Sequence, residues 1–379
     1  MGIKKNIFFG GLNELRAIAA LSVILHHIEL FKHRDKIESL FDSEYTLYWI
    51  EHLGKNGVYL FFVLSGFLIT YLLLSEKEKN STINLKKFYL RRIFRIWPLY
   101  YIILFISFII VPLLTFIFPL FSITPSYYHL IKDSSNYDLK SFLLYFTFLP
   151  NFAVKAGKIL AGASQSWSVG VEEQFYIIWP IIISFCNRKT MLLVFLSILA
   201  VFAVINLQFP NSLIGIIVTI IPFEFMAIGA LGGYFYYKNT EEITQYTKSN
   251  ILYAGVLLLI AILISIPVFK LYIQNIILGF VFLLLIIISI NSSNKAVLRS
   301  RYFSSLGTIS YGIYMYHPLI MFLIFPVFYK LLIFYNNIFV FNIGVFMFIP
   351  GITILVSYGS YRYIEKKFID IKDSKFKTL

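Results

Sequence analysis

Ten stretches of 17–25 mostly apolar residues follow one another along this 379-residue chain. They are 12–28, 54–74, 93–113, 169–186, 191–207, 213–237, 251–269, 271–290, 306–329 and 338–361. A helix rises about 1.5 Å per residue, so about 20 such residues cross the ~30 Å hydrocarbon core of a bilayer. Inside lipid every backbone N–H and C=O must find a partner within its own segment, which makes helices of such runs. The expected fold class is therefore all-α, a polytopic membrane helix bundle of about ten transmembrane helices. Composition agrees: 59% of residues are hydrophobic and only 14% charged, against roughly 25% charged in soluble proteins. A chain this apolar is not intrinsically disordered. Its one cysteine excludes an intrachain disulfide framework and a cysteine-based metal cluster.

An eleventh apolar run, 141–152, is too short to cross and fits a re-entrant or interfacial piece. Charge sets the orientation. With ten crossings and both termini cytoplasmic, 23 of the 33 Lys and Arg residues fall on the inner side. They include Lys4 and Lys5, the cluster between residues 75 and 95, Lys295, Arg299 and Arg301, and the tail from Arg362 to Lys377. That bias is the one expected of cytoplasmic loops. An eleventh crossing would turn the basic tail outward. The net charge of +14 thus reflects topology and attraction to anionic headgroups, with no DNA or RNA motif to suggest a nucleic-acid partner. The first run follows a short basic leader, MGIKKN, with no clean small-residue cleavage site, and reads as a retained signal-anchor. The inner segments are short, so a single integral-membrane domain over 1–379 is expected, its chemistry held in the bundle or the outer loops.

Ionisable groups inside spans are costly and usually mark function. Arg16 and His27 lie eleven residues apart on the first span, about 16 Å along the axis and on one face, with Arg16 toward the inner end. A histidine there suits proton abstraction from a hydroxyl. Arg16 has three readings: pairing with Glu14, orienting a phosphate, or anchoring the helix. Glu172 and Glu173 sit where the fourth span enters from outside, between Trp167 and Trp179. On the same side as His27, one of them is expected to fix its tautomer and stabilise its protonated form. Glu224 falls within the sixth span and His317 within the ninth, beside Tyr316 and before Pro318. Substrate contact and structural pairing are both open for Glu224, Tyr316, His317 and Trp167. Between the second and third spans, Arg91, Arg92 and Arg95 form a basic patch on the inner side. It suits nucleotide phosphates or lipid headgroups. No phosphate-loop or dinucleotide fingerprint occurs.

Six segments together resemble the integral-membrane acyltransferase 3 family, which includes O-antigen and other surface-polysaccharide O-acetylases. NELRAIAALSVILHH is similar to the first-helix signature, with Arg16 and His27 as the matching pair. GVYLFFVLSGFLIT, RRIFRIWPLY, WSVGVEEQFYIIWP, LGTISYGIYMYHPLI and YRYIEKKF match further signatures in family order. Tyr59 stands where many relatives have an acid. The resemblance spans about residues 11–368.

The resemblance implies ten helices with cytoplasmic termini, in a bacterial cytoplasmic (inner) membrane. It implies O-acyl transfer from acyl-CoA, most often acetyl-CoA, to a hydroxyl of a cell-surface or lipid-linked carbohydrate. Lipopolysaccharide, peptidoglycan, a glycolipid and a small hydrophobic metabolite are candidate acceptors. His27, Arg16 and a Glu172/Glu173 carboxylate would form the catalytic set, with Arg91, Arg92 and Arg95 holding the donor. Acetyl-CoA is a co-substrate; no permanently bound cofactor and no metal is expected. Membrane lipids, the glycan acceptor and glycan-assembly proteins are the expected partners. The chain looks like the stand-alone membrane form. A transporter of sugar or lipid-linked glycan intermediates is the main rival from another class.

Overall fold

The computed structural model describes residues 9–39, 44–117, 133–291, 300–335 and 337–377, and among them it is helical with no strand. The chain opens with α1 (Leu12–Arg34), α2 (Glu44–Asn80) and α3 (Leu85–Phe105). A π-helical turn, Ile106–Ile110, carries α3 on into α4 (Val111–Ile117). Two short helices follow, α5 (Leu139–Phe146) and α6 (Pro150–Lys155), then α7 (Ser166–Phe185), α8 (Arg188–Gln208), α9 (Leu213–Ile220) and α10 (Phe223–Lys238). The remainder comprises α11 (Thr240–Tyr246), α12 (Asn250–Ser265), α13 (Leu271–Asn291), α14 (Arg301–Thr308), α15 (Ser310–Tyr335) and α16 (Ile338–Ser360). A second π-helical turn, Tyr361–Glu365, leads into α17 (Lys366–Lys377). The basic residues Lys4, Lys5, Lys295 and Arg299 lie outside the described residues.

Among the described residues, six helices are long and apolar enough to cross a membrane, or eight when each of two bent pairs counts as one. The remaining two apolar runs, 12–28 and 169–186, coincide with α1 and α7. These two helices are more polar than the rest because they carry Glu14, Arg16, His26 and His27, and Glu172 and Glu173, respectively. The run 213–237 is not one straight helix. It breaks at Ile221–Pro222, and α9 and α10 meet at 55°. Proline lacks the N–H that would continue the ladder and crowds the preceding turn. Pro267 has the same effect on the run 251–269: α12 stops at Ser265, two residues before it. By contrast α15 runs through Pro318 and Pro326. The segment 141–152 folds as the short helices α5 and α6 around Phe148, whose φ is 60°. Neither is long enough to span.

Close packing of small residues holds α2 against α10. A Cβ on Gly66 would collide with the Met226 carbonyl oxygen, and one on Gly229 with that of Val63. In a membrane such contact of backbones replaces the hydrophobic drive that water would supply. At the periphery Leu193, Leu196, Val204, Leu258, Met347 and Leu355 are exposed. Apolar side chains on that scale suit lipid and not water. Polar side chains instead gather where α1, α2, α3, α7 and α15 meet.

Candidate active site

Two cavities lie one above the other along α1, α7 and α15. The first, about 270 Å³, is at the Leu12 end of α1 and is lined by Arg16, Ser65, Arg92, Arg95, Glu172 and Tyr176 among others. Arg92 and Arg95 are three residues apart on α3, so they share a face. Arg91 is exposed and does not line the cavity. The basic patch read from the sequence is therefore split: two of its arginines turn inward to meet Arg16, and the third stays outside.

Each of these groups is fixed by its neighbours. The Arg16 guanidinium donates to Asn13 Oδ1 at 3.2 Å, one turn back on its own helix. That settles the three readings of Arg16 against pairing with Glu14. Arg95 donates to the Thr308 carbonyl at 3.3 Å. Arg92 lies over the rings of Phe88 and Tyr176, 5.6 and 5.3 Å from their centroids, and its buried Nε has no partner. Glu172 accepts from Ser65 Oγ at 3.1 Å and from Tyr176 OH at 3.0 Å. Among the described residues, no carboxylate stands within 4.0 Å of any of the three guanidiniums. Three fixed positive charges facing one carboxyl group leave this cavity cationic.

The second cavity, about 180 Å³, is at the Arg34 end of α1 and is lined by His27, Arg34, Gln165, Trp167 and Pro318 among others. His27 Nδ1 donates to the Val23 carbonyl at 2.8 Å. A carbonyl only accepts, so Nδ1 carries the ring proton and Nε2 is left as a base. The His26 ring lies edge-on to that of His27, 5.1 Å away, and donates from Nδ1 to the Ile50 carbonyl at 2.9 Å on α2. The ring of His317 lies 4.9 Å from that of His27, and its own Nδ1 donates to the Tyr314 carbonyl at 2.7 Å.

The wall between the cavities is thin. Tyr314, which lines the first cavity, shares a 2.7 Å hydrogen bond with Ser168 and donates to the Gln165 carbonyl at 3.1 Å. Gln165, which lines the second, donates from Nε2 to the carbonyls of Met315 at 2.6 Å and Gly162 at 3.1 Å.

The structure corrects the expected partner of His27. Glu172 belongs to the arginine cavity, and Glu173 is buried against α3, where Oε2 accepts from Trp97 Nε1 at 3.1 Å. Neither carboxylate orients the imidazole; the Val23 carbonyl does. Tyr316 donates to Ser360 Oγ at 3.1 Å and ties α15 to α16, a structural contact. Glu224 sits in the first turn of α10, beside the Pro222 break, 4% exposed, and lines neither cavity. The sequence reading did not single out Ser65, Tyr176, Tyr314 or Gln165. Tyr176 did carry a signal, standing four residues after Glu172 on the same helical face.

The fold and these cavities define a multi-pass membrane protein with a polar site buried across its bundle. The chain belongs to the acyltransferase family whose model, "Acyltransferase domain", matches residues 9–361. It is 30% identical over 170 residues to a peptidoglycan O-acetyltransferase, OatA, of Listeria monocytogenes, covering 44% of this chain and 22% of that protein. It is 30% identical over 186 residues to an O-acetyltransferase OatA of Staphylococcus aureus, covering 48% and 26%. The chain thus spans about a quarter of the length of these curated relatives. No solved structure matches it.

Proposed function

We propose that this protein is a membrane O-acyltransferase that moves an acetyl group from acetyl-CoA on the cytoplasmic side to a carbohydrate hydroxyl on the outer side. The observation that carries this reading is the pair of stacked cavities: arginines converge on one, a basic imidazole faces the other, and a single polar layer separates them. The bundle would cross the bacterial cytoplasmic membrane ten times with both termini inside, as one domain.

Arg16, Arg92 and Arg95 supply the donors that phosphate and pyrophosphate oxygens need. The unpartnered Nε of Arg92 is the kind of group an anionic ligand would satisfy. A cavity of about 270 Å³ is smaller than the whole donor, so it takes the pantetheine arm while the arginines engage phosphate near its mouth. His27 Nε2 removes the proton of a hydroxyl that enters from the outer cavity. The hydroxyl oxygen then attacks the thioester carbonyl, the carbon–sulfur bond breaks, and the thiolate leaves as the thiol with that proton. Peptidoglycan is the acceptor class suggested by a relative's name; lipopolysaccharide or a lipid-linked glycan fits the same geometry.

The test is the purified full chain in lipid vesicles with acetyl-CoA and soluble uncross-linked peptidoglycan strands or a lipid-linked disaccharide. Acceptor-dependent release of CoA and base-labile acetate on the glycan are expected, and both are lost in His27→Ala. Full transfer by His27→Ala would overturn the mechanism. Movement of the glycan across the vesicle wall with no CoA release would favour the transporter reading, which the broken α9–α10 helix alone suggests.

A further inference from the structure

Among the described residues no carboxylate partners His27, yet an imidazole base needs something to hold the proton it takes. The structure offers a different group. His317 is fully buried, and its ring lies 4.9 Å from the His27 ring at an interplanar angle of 60°. Both Nδ1 atoms are committed to backbone carbonyls one turn back on their own helices, Val23 and Tyr314. Both rings therefore carry their proton on Nδ1, and both present a bare Nε2. The His317 Nε2 is buried with no hydrogen-bond partner. An acceptor left unsatisfied in this way costs free energy and calls for an explanation. Two acceptors side by side cannot bond to each other until one of them gains a proton.

We propose that His317 is a positioning residue for the transfer reaction, its Nε2 accepting a hydrogen bond from the Nε2–H that forms on His27 when His27 deprotonates the acceptor hydroxyl. This rests on the acyl-transfer reading above. One proton is shared by two nitrogens during the attack and is then released to the leaving thiolate, so both rings return to their starting state. No oxidant, metal or further acid is required. The surroundings allow it. The titratable or charged groups bearing on the pair are His26 and Arg34 from α1 and Tyr314 from α15. From α7 comes Gln165, whose Oε1 is also buried and unpartnered. Of the other helices against α15, α16 presents Ser360 to Tyr316, and Arg95 of α3 donates to Thr308 of α14. The His26 ring also lies edge-on to that of His27, 5.1 Å away, with its Nδ1 donating to the Ile50 carbonyl. Among the neighbouring imidazoles, His317 is the one whose Nε2 is buried with no hydrogen-bond partner, and it can accept from a protonated His27 while adding no charge of its own.

The experiment uses the full chain in vesicles, with acetyl-CoA and soluble peptidoglycan strands as probes, and follows CoA release against pH per mole of folded protein. His317→Phe keeps a ring and removes the acceptor. Its kcat should fall roughly 10- to 100-fold, within the range of acid–base effects, with the KM for acetyl-CoA nearly unchanged. Without His317 the protonated state of His27 is less favoured, so the acid limb of the rate should move to lower pH. His317→Gln restores an acceptor near the Nε2 position and should recover much of the rate and the original limb. His317→Leu gives the same reading should the Phe variant fail to fold. Loss of rate with an unmoved limb, or no recovery in His317→Gln, would assign His317 a packing role and overturn the proposal. Wild-type transfer rates in His317→Phe, beside an inactive His27→Ala, would overturn it while leaving the acyl-transfer reading intact. Activity in His27→Ala would instead overturn that reading.

Discussion

A guanidinium in an apolar bundle is stable only when its charge is answered, and in this protein three of them are answered mostly by neutral oxygen atoms and ring faces. Arg16 has Asn13, Arg95 has the Thr308 carbonyl, and Arg92 has the faces of Phe88 and Tyr176. That arrangement stores a capacity for anions. Arg92→Glu should raise the apparent KM for acetyl-CoA by roughly tenfold or more, the scale of one lost charge-assisted hydrogen bond. Arg91→Ala, at an exposed position outside the cavity, should change it less than twofold. Equal effects of the two substitutions in initial-rate measurements would show that the patch attracts the donor only as a diffuse charge. The sequence made these residues visible because charge is scarce. It also paired Arg16 with His27 on one helical face, since positions along a helix follow from spacing alone. Which helices adjoin is set by lateral packing, and spacing carries no information on that. For this reason Glu172 was expected beside His27, whereas α7 delivers it to Ser65 and Tyr176.

Helices show the same division between what pattern reveals and what packing decides. Each apolar run overlaps a long helix or a bent pair, although α2 and α3 begin ten and eight residues before their runs, and hydropathy averaged over the breaks at Pro222 and Pro267, because apolar residues continue on both sides. The contact of α2 with α10 depends on missing side chains. Gly66→Val would push a branched side chain into the Met226 backbone, and overpacking of this kind costs about 1–3 kcal/mol. A lower unfolding temperature in detergent is expected. Gly359→Ala, where a Cβ meets nothing within 4 Å, should be neutral or stabilising by about 0.5–1 kcal/mol through helix propensity. Outside the spans, Asp138 caps α5 by accepting from the Ser141 amide at 2.7 Å and pairs with Lys158 at 2.6 Å. The Lys158 hydrogen bond first, and then the Ser141 amide, hold the Asp138 carboxyl down at about 2. A folded value below the unfolded one, about 3.9, means that the contribution is present above pH ~4 and lost as the pH falls through about 2. Asp138→Asn keeps the cap and removes the charge. It should lower amide-exchange protection across residues 139–158 at pH 7, and the difference from wild type should vanish near pH 2. A difference that persists there would assign the effect to the cap and not to the ion pair.

At the scale of the whole molecule, the two cavities impose a direction. Arg16 and His27 are about 16 Å apart along α1, so neither substrate has to cross the bilayer for the two to meet. In the acyl-transfer reading each would enter from its own end and stop at the layer formed by Gln165, Ser168, Tyr314 and His317. Hydropathy and charge suggest a sidedness for the loops, but nothing in a linear pattern reveals that two cavities meet at a hydrogen-bonded layer. One bond of that layer, Ser168 to Tyr314 at 2.7 Å, closes in the side chains of residues 146 positions apart. Sidedness of reaction follows and is measurable. In sealed inside-out vesicles, with the basic tail facing the medium, acetyl-CoA is added outside and soluble peptidoglycan strands are sealed within. Acetate esters should appear on the enclosed glycan while all the released CoA thiol remains in the medium. With donor and acceptor both outside, intact vesicles should give no ester until detergent opens them. Ester formation on glycan that shares the donor's compartment in intact vesicles would mean that both substrates use one cavity, and the directional reading of the bundle would fail.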